Sequence, residues 1–339
     1  MNKISLLLII SFFWLFLCSN QLATSFLPKQ FPKPTYDFGS NPLQKNVIDL
    51  GRRFFYDPIL SKNNTISCAS CHSPYNAFAH VDHELSHGIY DRIGFRNAPA
   101  LFNLAWAPYF MQDGAIHHLD MQALAPISDS NEMNEAFDQV INKVNADATY
   151  QSLFKKIYHQ PHISGAQFLK AISQFMLRLV SAESKYDSVM RGKAYFSQQE
   201  KKGYLLFQKH CANCHQEPLF TNYAFVNNGI GENQQLHDLG RYRITKDSND
   251  LLKFKVPSLR NIEFTAPYMH DGRYASLKEV LRFYASAHAT QPNTDKRLHN
   301  PLPLNANDQV DIISFLLCLS DKHFIFNTQH AYPKSMLKN

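Results

Sequence analysis

With 339 residues, 45% of them apolar and 13% aromatic, the chain can bury more than one core and is no low-complexity or disordered protein. Its formal charge of +6 comes from 34 Lys and Arg set against 28 Asp and Glu. These are scattered rather than clustered with aromatics, so the charge excludes a nucleic-acid binder and suits an acidic partner or covalently held anionic groups.

Lys3 and the apolar run "ISLLLIISFFWLFL" are followed by the polar "CSNQLATS". This pattern predicts an export signal over residues 1–23, too short to span a membrane and cleaved near Ala23. Cys18 is the rival cleavage site as a lipid acceptor, but Leu17 is bulky where a small residue is usual, so plain cleavage is preferred. No second long apolar run follows, so the mature chain of just over 300 residues is expected to carry no transmembrane span.

Of six cysteines, Cys18 lies in the signal, Cys318 stands alone, and Cys68/Cys71 and Cys211/Cys214 form pairs. Exported cysteines usually make disulfides, but each pair here is followed at once by histidine, in "CASCH" (68–72) and "CANCH" (211–215). Two thiols on one helical turn can bond the porphyrin vinyls while the next imidazole turns under the iron. The spacing therefore predicts two covalent c-type haems, held by Cys68, Cys71 and His72 and by Cys211, Cys214 and His215.

The remaining elements read as helices. "SGAQFLKAISQFMLRLV" places Phe168, Ile172, Phe175 and Leu179 on one face. Ser197 and Glu200 form a capping box that opens a helix leading into the second haem motif. Residues 227–250 are polar and rich in Gly and Asn, which predicts a long loop. Ser276 and Glu279 form another box, after which Leu277, Leu281, Tyr284 and His288 share a face, and "NDQVDIISFLLCLSD" predicts a helix near the C-terminus. The fold class is all-α.

The chain repeats itself. Pro99-Ala-Leu-Phe-Asn103 matches Pro257-Ser-Leu-Arg-Asn261, Ala-Pro-Tyr recurs at 107–109 and 266–268, and Asp113-Gly114 matches Asp271-Gly272. The organisation expected is two tandem cytochrome c-like domains, residues 24–190 and 191–339, each with one haem. The ungapped alignment pairs Gln112 with His270, Met111 with Met269, and Pro126 with Tyr284. Tyrosine can ligate iron and proline cannot. The second haem is thus expected to take Tyr284 as axial ligand, with the thioether of Met269 as the rival, while the first is left open opposite His72.

An open haem binds a small oxidant such as hydrogen peroxide, and cleaving its O–O bond needs a proton carrier. Glu132, after the first Asp-Gly turn, is the candidate acid/base, since shelter beside a haem would raise its pKa. The other reading of Glu132 is a helix N-terminal acid completing a cap with Asp129 or Ser130.

The segments "LGRRFFYDPILSKNNTISCASCH", "RNAPALFN", "NEMNE", "CANCH", "VPSLRN" and "APYMHDGRYASL" together resemble the bacterial di-haem cytochrome c peroxidase family and its MauG-like branch. The resemblance spans essentially the whole mature chain. It implies a periplasmic cytochrome-c peroxidase that reduces hydrogen peroxide to water at the N-terminal haem. Electrons would enter at the C-terminal haem from a small cytochrome c or cupredoxin. It also implies that Gln122 and Glu132 are the active-site pair and that Asn97, Thr265 and Pro267 hold an inter-haem calcium, mostly through carbonyl oxygens. A displaceable distal histidine on the first haem would fall near His87, with His80 and His83 as neighbours. Family members are often homodimers.

Two departures stand out. Gln112 occupies the position where the family usually has a tryptophan between the haems, leaving Trp106 as a nearby substitute relay or a core residue. Tyr284 stands where well-known peroxidases have methionine and the MauG-like branch has tyrosine. The alternative functions are therefore a MauG-like enzyme that oxidises Trp or Tyr residues of a partner protein, and a di-haem electron carrier without turnover.

Overall fold

The structure, a computed structural model, describes residues 26–80, 83–286 and 291–336. The segment read as an export signal, with Cys18 and Ala23, and His288 lie outside the described residues. Helices dominate: α1 (Lys45–Tyr56), α2 (Cys68–Cys71), α3 (Leu124–Ser128), α4 (Phe137–Ala146), α5 (Ala148–Tyr158), α6 (Gly165–Leu177), α7 (Lys185–Met190), α8 (Gln198–His210), α9 (Tyr242–Thr245), α10 (Leu277–Ala285), α11 (Ala306–Leu317) and α12 (Lys322–Ile325). Among the described residues the strands are two residues each, β1 (Phe225–Val226) antiparallel to β2 (Phe254–Lys255). Among the described residues, no helix is long and apolar enough to cross a membrane.

The helix starts follow from capping chemistry. Ser197–Glu200 and Ser276–Glu279 form reciprocal boxes at α8 and α10, and Ser164–Gln167 and Asn305–Asp308 do the same at α6 and α11. On α6, Phe168, Ile172 and Phe175 are fully buried, while Leu179 is buried beyond the helix end.

Two helix crossings organise the molecule, and both need glycine. A Cβ on Gly51 of α1 would lie 1.8 Å from the Ala171 carbonyl of α6, and one on Gly203 of α8 would lie 1.9 Å from the Asp311 carbonyl of α11. Backbone thus packs on backbone at both crossings. Around the first crossing lies an apolar cluster with Phe54, Phe55, Phe78 and Phe175; around the second lies another with Tyr186, Phe207, Phe220 and Phe315.

The repeated asparagines tie the two clusters together. Asn103 and Asn261 are buried in left-handed conformations with φ of 55° and 56°, which Asn tolerates better than other L-residues. Asn103 exchanges hydrogen bonds with the Ser181 backbone, Asn261 donates to the Ser181 hydroxyl, and the Asp321 carboxylate accepts from that hydroxyl and from the amides of Ala182 and Glu183. Beyond this node, residues 321–331 fold back over the first cluster. Phe324 and Ile325 join that cluster, Arg52 donates to the Ala331 and Thr328 carbonyls, and Tyr56 donates to the His330 carbonyl at 2.6 Å.

Residues 227–250 are more ordered than the loop their composition suggests. They carry α9, and Asp238 is almost completely buried. Arg96 explains this: it makes two bonds to Asp238, at 2.6 and 2.8 Å, and one to Asp113 at 2.6 Å. Arg241, from the same stretch, donates to the Asp113 carbonyl and stacks on Phe225 at 3.9 Å. Pairing and bidentate geometry let charges sit where an isolated one would be too costly. The polar stretch is thereby tied to Arg96 and to the Asp113-Gly114 turn.

Gly51→Ala and Gly203→Ala should each lower the melting temperature, since overpacking of this kind costs roughly 1–3 kcal/mol or more. Thermal unfolding followed by circular dichroism checks this, and an unchanged transition would show that the helices can separate freely.

Candidate active site

The first CxxCH motif sits on the single turn α2, and the second continues from the last turn of α8. None of the four thiols is in a disulfide. Burial pushes the Cys68 thiol up to about 12 and the Cys71 thiol up to about 11, and the nearby Glu132 carboxylate adds to both.

Each following histidine is fixed through one ring nitrogen. His72 Nδ1 lies 2.7 Å from the Phe78 carbonyl and also bonds the Pro99 carbonyl. His215 Nδ1 lies 3.2 Å from the Phe220 carbonyl and 3.1 Å from the Pro257 carbonyl. A carbonyl only accepts, so Nδ1 carries the proton and Nε2 presents its lone pair. Burial lowers both imidazoles to about 4 and keeps them neutral. Paired thiols beside an oriented, neutral imidazole are the donor set a covalent haem requires. Pro99 and Pro257 are partners in the repeat, so the sequence marks this support directly.

Gln122 follows a 3₁₀ turn (Leu119–Met121) and its Nε2 lies 3.9 Å from Met111 Sδ. Pro126 lies within α3. Glu132 occupies a turn rather than a helix end, because α4 begins only at Phe137 behind Ala136. Its amide donates to the Asp129 carbonyl, and its own carbonyl accepts from Ile89 at 2.7 Å. Burial, with a smaller push from Asp129, raises its carboxyl to about 7. The neighbouring histidines form a column: the His83 ring centroid is 4.6 Å from that of His87 and 5.6 Å from that of His80. His87 Nδ1 pairs with Asp91 at 2.6 Å, and its carbonyl faces Cys71 Sγ at 3.8 Å.

Beside the second motif, the two rival ligands meet at one amide. Asn228 Nδ2 lies 3.2 Å from the Tyr284 hydroxyl, to which it donates, and 3.7 Å from Met269 Sδ. Burial pushes the Tyr284 phenol up to about 12; the Asn228 bond opposes this, and Cys211 and Cys214 reinforce it. Tyr284 thus shares its surroundings with the second CxxCH thiols. Met269 has φ of 74° and Met111 has φ of 64°, each in an Asp-Gly turn whose flanks pair, Tyr268 with Tyr274 and Phe110 with Ile116. Asn228 was hidden from sequence reading in the polar stretch, where neither pattern nor repeat marks it.

At the seam, Gln112 Nε2 donates to the Asn97 carbonyl at 2.7 Å and the Gln112 carbonyl accepts from the Lys255 amide at 2.7 Å. Lys255 Nζ donates to the Tyr109 carbonyl at 2.6 Å, and burial lowers it to about 8. Asn97 is buried; its amide donates to the His270 carbonyl and its side chain to the Glu84 carbonyl. His270 stacks on Phe254 with ring centroids 3.9 Å apart. Thr265 closes a 3₁₀ turn (Ile262–Phe264), and Pro267 follows Ala266 through a cis peptide bond. Among the described residues no group of three or more His, Cys, Asp or Glu is set to hold a metal ion, so any cation near Asn97 would depend on carbonyl and amide oxygens. Trp106 belongs to the core, packed edge-on against Phe31 with its indole donating to the Pro32 carbonyl at 2.7 Å.

Comparison with known proteins gives the family. A profile of the di-haem cytochrome c peroxidase family matches residues 45–195. The methylamine utilization protein MauG of Methylorubrum extorquens is 32% identical over 301 residues, 85% of this chain and 81% of the relative. Cytochrome c551 peroxidase of Nitrosomonas europaea is 32% identical over 249 residues, 71% of this chain and 73% of the relative. The crystal structure of a MauG-like protein associated with microbial copper homeostasis superposes with a TM-score of 0.80 at 30% identity, covering 91% of this chain and 99% of that one. The chain belongs to the di-haem cytochrome c peroxidase family and is an oxidoreductase of the peroxidase class, a family that carries two c-type haems.

Proposed function

We propose that residues 24–190 and 191–339 form two cytochrome c-like domains and that the protein reduces hydrogen peroxide to water at the first haem. In this reading Cys68, Cys71 and His72 hold that haem, and Cys211, Cys214, His215 and Tyr284 hold the second. Electrons enter through the second haem from a small exported cytochrome c or cupredoxin in the periplasm. The observation that carries the reading is the contrast between the two sites. Glu132, with its carboxyl raised to about 7 by burial, lies by the first motif, whereas the Tyr284 phenol and its Asn228 partner lie by the second.

When bound, the first haem would supply electrons to the peroxide. The chain's own groups manage the protons. Glu132 would take a proton from one peroxide oxygen and return it to the other, so that two electrons and two further protons convert one peroxide into two waters. Gln122, whose amide is steadied by Met111, orients the peroxide. His87 is placed to approach or leave the first haem, since Asp91 holds its Nδ1 and its carbonyl adjoins Cys71. A calcium ion bound by Asn97 and by the carbonyls of Thr265 and Pro267 would brace the seam, and a homodimer is the expected assembly.

The second reading is a MauG-like enzyme that oxidises Trp or Tyr residues on a partner protein. The Asn228–Tyr284 bond favours it, because an anionic phenolate stabilises oxidised iron, and Gln112 at the seam argues against the usual aromatic relay. Peroxide-dependent oxidation of a reduced small cytochrome selects the first reading, and oxidised aromatic residues in a co-expressed partner select the second.

Glu132 must be ionised to accept a proton, so kcat/KM for peroxide should rise with pH and level off above about 7. Glu132→Gln should abolish that limb and slow turnover by roughly 10²–10⁴-fold. A variant with the wild-type profile would remove Glu132 from the mechanism. Tyr284→Phe should shift the low-temperature EPR spectrum of the second haem and raise its reduction potential, leaving the first haem unchanged. An identical spectrum and potential would assign the ligand to Met269.

A further inference from the structure

Behind the second haem motif lies a polar feature in an otherwise apolar cluster. The Phe220 carbonyl accepts the His215 Nδ1 proton, and the Phe220 ring packs edge-on against Tyr186 with centroids 4.8 Å apart. The Tyr186 ring is 6.4 Å from that of Tyr204 on α8. Tyr204 donates its hydroxyl hydrogen to Glu217 Oε2 at 3.3 Å, and the other carboxylate oxygen, Oε1, is buried without a hydrogen-bond partner. Outward from Tyr204 come the Phe196 ring at 5.4 Å, then the almost wholly exposed Tyr195, and Leu205 on the adjacent turn, more than half exposed. Ring contacts and one hydrogen bond therefore run without a gap from His215 to the surface.

Among the described residues the first motif is backed differently: its cluster holds a tyrosine–carboxylate pair, Tyr150 with Asp57 at 2.8 Å, but the rings packed against Phe78 are not tyrosines. Phe78, whose carbonyl holds His72, is surrounded by Phe55, Phe175, Phe324 and the His330 ring. The nearby phenol, Tyr56, donates to the His330 carbonyl, which cannot take up a proton. The half-buried Glu217 carboxylate lies between the two tyrosines, accepting from Tyr204 and acting on Tyr186 through its charge.

We propose that Tyr186 and Tyr204 form a redox relay through which the oxidised second haem exchanges single electrons with a reductant at the α8 surface. The inference rests on the peroxide-using reading above, with hydrogen peroxide as the oxidant. Tyr204 gives one electron inward, through Tyr186 and Phe220 toward the His215-bound haem, while its phenolic proton passes along the existing hydrogen bond to the Glu217 carboxylate. The neutral tyrosyl radical then takes one electron from the external reductant and recovers the proton from Glu217. Phenols suit this role because a neutral radical is reached only when the proton has a nearby acceptor, which the tyrosine–carboxylate contact provides.

The test uses the full chain loaded with both haems, mixed with peroxide in the absence of donor and frozen rapidly for EPR. Wild type should give an organic-radical signal that narrows when the protein carries ring-deuterated tyrosine. Tyr204→Phe and Tyr186→Phe should lose it, and peptide mapping should find oxidised Tyr204 only in wild type. Glu217→Gln keeps both rings and should also lose the signal, which guards against a tyrosine variant that fails to take up haem. Wild type that consumes peroxide yet gives no tyrosine signal, or variants that retain it, would overturn the relay. Wild type that consumes no peroxide would instead overturn the peroxidase reading, and the relay with it.

Discussion

The hydrogen bond from each CxxCH histidine to a backbone carbonyl is the constraint on which the rest of the structure turns. An imidazole on a short turn could swing or protonate, and either would spoil it as an iron ligand. Here the Phe78 and Pro99 carbonyls take His72, and the Phe220 and Pro257 carbonyls take His215. Those carbonyls must themselves be held, which explains the bulk around them. Phe78 and Phe220 are fully buried, and each lies in the apolar cluster of one glycine-mediated helix crossing. The helices are thus less a container than a brace for two acceptor oxygens.

The brace at the first site is completed from the far end of the chain. Phe324 and His330 both pack on Phe78, and the segment that carries them is anchored by Arg52 and Tyr56 on α1. The second site is braced by Phe207 and Phe315 and by the buried Arg260–Asp187 pair, whose guanidinium lies against both Phe220 and the distant Phe31. Order at each histidine therefore depends on segments far apart in the chain.

Much of this was legible from the amino acids because it rests on local chemistry or on repetition. The capping boxes at Ser197 and Ser276 are short-range and appear as written. The repeat pointed to Pro99, Asn103, Pro257 and Asn261 as a set, and the structure gives each pair the same task. What sequence could not reveal are pairings between distant segments. Asp238 reads as a loop residue until Arg96 is found 142 positions away, and Asn228 reads the same way until Tyr284 and Met269 converge on it. The tail that packs on Phe78 follows a well-marked helix, and nothing in its composition says which surface it will cover. Glu132 lies between these cases. Its residue type was informative, but its turn, rather than a helix cap, is set by backbone bonds to Asp129 and Ile89 that no local pattern encodes.

The two sites are variations on one template, which bears on how the family could hold both peroxidases and protein-modifying enzymes. Each site has a methionine in a left-handed turn position and a side-chain amide against its sulfur, Gln122 on Met111 and Asn228 on Met269. They diverge at the next repeated position, Pro126 in one and Tyr284 in the other. The proline side chain offers no donor atom to a metal, unlike the tyrosine phenol. Tyrosine fills the site, and the same amide that touches methionine then holds the phenol oxygen. An amide that can serve either partner makes the exchange between thioether and phenolate a small step in structure and a large one in electronics, because the anion favours oxidised iron and the thioether favours reduced iron. In the proposed ligation, Asn228 is the side chain that meets both candidate ligands, Met269 and Tyr284.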